Sequence, residues 1–400
     1  MLFTPRLHTH SLLRRSPELV ALIKWRVHRA TVLTLRAGVF LLAGALVAAC
    51  SEPPPPPAAA SPPIERYSAT DESIAFANLD FTIDSARAAF ESRLDGQIAV
   101  KALVSSLLTR ARFKNSFADL DEADKIAQQY VEAAPESADA WLVKAEIDVA
   151  LHRFVDGQTA IDRASALGAP PETIAARRGT LLAALGKAAE ALPEAQASAK
   201  ATPDYTTWTQ LASVYQSIGD KAKSESAFTE ALKAYGDVSP FAMAWVQFER
   251  AMLVVDSDPH RAVALFDEAL FYLPSYVSAR TDRAAALAAS GDVDAAIEAL
   301  KELCAAVDDP EPAGLLAGLL MDNERIEEAE PWRERARQGF EALLARHRLA
   351  FADHAAEFYL RVREPEHALP LAEENFNNRD TPRSRALVEQ AKAALAAGRD

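Results

Sequence analysis

Residues 205–238 read YTTWTQLASVYQSIGDKAKSESAFTEALKAYGDV, and their spacing predicts two antiparallel helices. Trp208, Leu211, Ala212 and Tyr215 recur at intervals of three and four, the period of one helix face. Ser224, Phe228 and Ala231 repeat the pattern after a break. The break is Gly219-Asp220, where a left-handed residue is useful for turning the chain between helices. Pro203 stands just before the first helix. Proline is tolerated there and would break a helix interior. Ala212 and Ser224 are small where the helices must touch, and larger side chains would push them apart.

The stretch resembles the tetratricopeptide repeat at nearly every diagnostic position. That unit is a helix hairpin of about 34 residues, with small residues near its eighth and twentieth positions. Carried along the chain, the register gives a first-helix series Ala111, Ala145, Gly179, Ala212, Arg250, Ala284, Ala317 and Ala356. The second-helix series is Ala123, Gly157, Ala191, Ser224, Ala262, Ala296, Ala329 and Ala368. Arg250 departs from the pattern: either that unit opens its packing or the register slips there by one residue. A long step near 235–240 implies about four extra residues. A second long step implies a longer helix, roughly Glu328 to His347. Pro135, Pro203 and Pro274 close successive units. The implied fold is all-α: a right-handed superhelical solenoid of antiparallel helix pairs, with the repeats at 104–344. Residues 345–400 hold a further repeat and a capping helix, and 67–103 form an N-terminal capping segment. Within that segment a helix is expected over 84–103 and irregular chain over 67–83.

Upstream, residues 37–49 read AGVFLLAGALVAA. An uncharged run behind Arg26, Arg29 and Arg36 has the form of a secretory signal. It is too short for a membrane span, which needs about 20 apolar residues. Val47-Ala48-Ala49-Cys50 resembles the bacterial lipobox, which implies cleavage before Cys50 and acylation of that residue. Ser51, in place of Asp, points to the outer membrane. Residues 1–49 are therefore expected to be a lipoprotein signal, with translation starting near Val27 or Val32. Residues 50–66 are the lipidated cysteine and its linker. The run Pro53–Pro57 and the following Ala and Pro residues predict a semi-rigid polyproline spacer. The expected location is the cell envelope, lipid-anchored at the outer membrane and facing the periplasm.

The formal charge is −14, and residues 1–49 alone hold seven basic residues and one acid, so the remainder stands at −20. Such a surface repels phosphates, which excludes nucleic-acid partners. The resemblance implies a protein or peptide partner, bound along the concave face lined by the first helices. The groove positions are Leu142, Glu146, Ala176, Thr180, Thr209, Ser213, Gln216, Gln247 and Ala251. They lack the Lys and Asn that clamp a terminal carboxylate in chaperone-binding members, so that mode is excluded. Trp141, Trp208 and Trp245 read as packing residues. Cys304 falls on an apolar helix position and reads as an inert buried thiol. No phosphate loop or nucleophile elbow is present, so an enzyme is not expected, and no cofactor. The alternative is an enzyme or metal-binding subunit built on Asp353, His354 and Glu357. Its spacing is not that of a metalloprotease helix, which needs two histidines four apart. The oligomeric state is open, because the helix near 386–397 lacks a pairing partner.

Overall fold

The computed structural model describes residues 66–92 and 96–398. The expected signal, Cys50 and most of the proline linker lie outside them. The described residues form seventeen helices and no strand. Helix α1 is Glu72–Glu91, α2 Gly96–Lys114, α3 Phe117–Ala133, α4 Ala138–Ala150, α5 Phe154–Ala166 and α6 Pro171–Ala184. Then follow α7 Ala188–Ala201, α8 Tyr205–Ile218, α9 Lys221–Lys233, α10 Pro240–Val254, α11 Pro259–Tyr272 and α12 Val277–Ala289. The last are α13 Val293–Ala306, α14 Pro310–Asp322, α15 Ile326–Arg361, α16 Pro365–Asn378 and α17 Pro382–Ala397. None of them is long and apolar enough to cross a membrane.

Local chemistry sets these boundaries. Asp204 accepts from Thr207 N while Thr207 Oγ1 accepts from Asp204 N, a reciprocal cap that starts α8. Gly219, at φ +92°, ends it in the left-handed region, and Asp220 caps α9. Proline opens α6, α10, α11, α14, α16 and α17, where its missing N–H costs nothing.

Eight antiparallel pairs result, from α2/α3 through to the second half of α15 with α16. Helix α15 looks continuous but leaves helical geometry at His347 (φ −135°, ψ 57°). Its halves are the second helix of one pair and the first of the next, so the longer helix expected near Glu328–His347 occupies the first half. The small residues sit at the crossings: Ala212, Ser224, Ala262, Ala296 and Ala368 are fully buried. At the irregular position Ala251 is fully buried, and Arg250 instead forks Glu225 and donates to Gln247. The register has slipped by one.

The N-terminal segment differs from expectation. Asp71 accepts from Ser73 N and starts α1 at Glu72, so residues 72–83 are helical. The helix expected over 84–103 is divided between α1 and α2. Phe76, Ile83 and Ala86 give α1 a buried face, a stripe too sparse to stand out among Asp and Ser in the sequence.

The ends of the array meet. Asp121 on α3 accepts from Arg346 Nη1 at 2.6 Å and pairs with His347 Nε2 at 2.6 Å. His152 Nδ1 donates to Leu349 O at 3.1 Å, and Asn378 Nδ2 donates to His152 O at 2.9 Å. Ala350 joins the core of Leu103, Leu107, Leu120 and Ile147. Helix α17 packs on α16 and α15 and covers the final pair.

Aromatic rings tie neighbouring pairs, where Phe228 meets Trp245 at 5.9 Å, and the two helices of one pair, where Phe248 meets Phe266 at 5.7 Å. Phe266 is fully buried. Phe266→Ala is expected to cost about 3–5 kcal/mol in urea denaturation, from lost transfer energy plus the cavity. A cost below about 1 kcal/mol would show that this ring is not a core element.

Candidate functional site: the concave face

The expected groove residues are placed on the first helices, and most are engaged within the chain. Leu142 and Thr209 are buried, and Gln247 and Ala251 are fully so. Glu146 accepts from Arg177 Nη2 at 2.8 Å. The hydroxyls of Thr180, Thr209 and Ser213 donate to Ala176, Thr206 and Thr209 carbonyls on their own helices. Gln216 Nε2 donates to Glu249 Oε2 at 3.1 Å. Ala176, Thr180, Ser213 and Gln216 keep partial exposure.

The end of α2 fills the interior beside them. Arg112, 9% exposed, sets its guanidinium 5.8 Å from the Trp245 ring centroid. Burial pulls it below its usual value, against Tyr276, Glu249, Tyr205 and Glu146. Those groups come from the residue that opens α12 and from α10, α8 and α4, so the first helices face one interior. Phe113 lies between Phe241, tilted at 5.2 Å, and Tyr276, edge-on at 4.7 Å. Lys114 Nζ lies 4.1 Å over the Phe76 ring. Asn115, at φ +50°, donates to Asp309 and accepts from Ser278 Oγ at 3.3 Å. Sequence reasoning missed Arg112, Phe113 and Asn115. Trp245, read as packing, also carries a cation on its face. The available signal was charge: α2 holds Lys101, Arg110, Arg112 and Lys114 and no acid, within an acidic protein.

The alternative site is a set of ion pairs. His354 Nδ1 pairs with Glu311, and its Nε2 is 3.8 Å from Asp353 Oδ1. Asp353 accepts from Arg379, and Glu357 from Arg383. Thr281, Asp282, Glu311, His354, Glu357 and Arg361 line a cavity of about 20 Å³, room for a single water. Among the described residues no group of three His, Cys, Asp or Glu side chains is placed to hold a metal ion. His354 is thus bound into a charge network between α14 and α15.

Cys304 is buried on α13, and burial pushes its thiol up to about 11. The thiolate is the reactive form. Cys304 is therefore expected to resist a disulfide-exchange reagent at pH 8 in the native protein and to react at once in denaturant. Rapid native labelling would contradict this burial.

The tetratricopeptide repeat family model matches residues 205–237. No curated protein matches. Among solved structures the chain is similar to a tetratricopeptide repeat protein from Parabacteroides merdae, at 16% identity and TM-score 0.40, over 66% of this chain and 98% of that one. It is also similar to the Cut9–Hcn1 hetero-tetramer of the APC/C, at 14% identity and TM-score 0.39, over 80% of this chain and 63% of that one. A third is YrrB, described as having an unusual peptide-binding site, at 16% identity and TM-score 0.28, over 49% of this chain and 96% of that one. No score among these reaches 0.5, so the assignment rests on the matched repeat and on the helix pairs themselves. The chain therefore carries a tetratricopeptide repeat at 205–237, set within a run of antiparallel helix pairs that continues before and after it.

Proposed function

We propose that the chain is a lipid-anchored interaction scaffold of the bacterial envelope that holds a protein or peptide partner. One observation carries the scaffold reading: eight stacked helix pairs devote their buried residues to packing and ion pairing, and a repeat array of this kind works through its surface. The tether rests on sequence: the apolar run 37–49, the lipobox-like Val47–Cys50 and the proline spacer. Several acyl chains on Cys50 would hold the protein at the outer membrane, since one chain anchors only marginally. The negative charge argues for a partner that is neither nucleic acid nor an anionic lipid surface.

The test is photocrosslinking in intact cells, with the crosslinker at Thr180 or Ser213 and a control on the outer helices. A discrete partner at the inner positions is the expected result. Failure to recover one from abundant protein would remove the scaffold reading. Labelled palmitate should enter the wild type and not Cys50→Ser, and a label retained by that variant would remove the tether.

A further inference from the structure

We infer that the C-terminal end of α2, Arg112–Asn115, is an internal occupant of the partner site, and that the partner is a peptide segment pairing a cationic side chain with an adjacent aromatic ring. This rests on the scaffold reading and names its ligand chemistry. Arg112, Phe113 and Asn115 each reach into the following pairs. Arg112 lies over Trp245 near Glu249 and Glu146, and Phe113 lies between Phe241 and Tyr276. Asn115 bridges Ser278 and Asp309. The receptors belong to several successive pairs, as for a ligand laid along a repeat array.

A helix pair whose only task is closing the stack could fill this space with apolar side chains. That choice is often neutral or better for stability than a buried charge. A guanidinium is placed there instead, and guanidinium is the cation best suited to aromatic faces and carboxylates. Upstream the same segment is tied to these pairs by Tyr67 N on Tyr272 Oη at 2.8 Å, Thr70 N on Val238 O at 2.7 Å and Ser275 N on Glu72 Oε1 at 2.8 Å. Charge complementarity completes the case: α2 carries four basic residues and no acid, in a chain of net −14.

The test uses a fluorescent peptide with the sequence of residues 104–116 and the full-length protein. Lys114→Ala with Asn115→Ala removes the outer holds and leaves Arg112 and Phe113 in place. The double variant is expected to bind the peptide at least tenfold more tightly than wild type. A peptide with alanine in place of its Arg-Phe pair should not bind. No binding to a variant with wild-type helicity overturns the inference. If the variant does not fold, hydrogen exchange of the wild type decides. Residues 67–116 should open before α8 and α9, and exchange only through global unfolding overturns the inference. A crosslinked partner that binds wild type and double variant equally would also overturn it, while leaving the scaffold reading intact.

Discussion

Asp353→Ala is expected to destabilise the protein by about 3–5 kcal/mol, measured by urea denaturation, because it leaves a buried guanidinium without its counter-charge. The side chains of Asp353 and Arg379 are 2% and 5% exposed and hydrogen-bonded to each other. Among the described residues Arg379 has Asn375 Oδ1, at 3.0 Å, as its second side-chain acceptor. The pair joins the second half of α15 to the turn before α17, so its loss should loosen the C-terminal cap first. Asp353→Leu combined with Arg379→Met should cost much less, since the penalty comes from the orphaned charge more than from the lost attraction. A single variant within about 1 kcal/mol of wild type would mean that water reaches Arg379.

The same cluster fixes the response to acid. Burial alone would raise the Asp353 carboxyl, but His354, Arg379 and Arg383 outweigh it and hold it below the usual carboxylate range. A depressed carboxyl contributes stability above its unfolded value of about 3.9 and loses it as pH falls further. His152 works in the same direction. Burial, then Arg379, lowers it to about 3, so between about 6.5 and 3 the unfolded state binds a proton that the native state does not. Stability should therefore decline from pH 6.5 downward, and the gap between wild type and Asp353→Ala should narrow below about pH 5.

The repeat was legible in the sequence because its signals are local. Trp208, Leu211, Phe228 and Ala231 fall on fixed helical intervals, and Gly219-Asp220 supplies a turn that any neighbourhood would read the same way. The uneven steps were legible too, since four added residues or a longer helix alter a count. What remained hidden depends on distance along the chain. Asp121 meets His347 across 226 positions, and neither residue carries a local mark of it. Helix α1 was missed because its apolar stripe is thin and its cap is a lone Asp71. The groove was read as open because its lining residues are small or neutral, and no period reports what lies against them. Arg112 carries no local mark of its burial. Only the absence of acids from residues 96–114 hinted that this helix faces an acidic interior.

Gly186→Ala probes whether the two ends of the array are joined. Gly186 sits in the turn between α6 and α7 at φ +78°, and a Cβ there would lie 2.4 Å from Asp380 O and 3.3 Å from Thr381 Cα. Both atoms are backbone of the turn entering α17, so no side-chain rotation relieves the overlap. The left-handed conformation costs an alanine about 1 kcal/mol, and the forced displacement adds a comparable or larger amount, for about 2–4 kcal/mol in all. Gly219→Ala is the matched control. It too has a left-handed backbone, φ +92°, but nothing lies within 4 Å of its added methyl, so it should cost only the conformational part, about 1 kcal/mol. Hydrogen exchange should rise at the α6–α7 turn and across α17 in Gly186→Ala, while α10 to α12 keep their protection. Equal costs for the two substitutions, with unchanged protection at α17, would mean that the third pair and the C-terminal cap do not touch in solution, and that the interior lies open from that side.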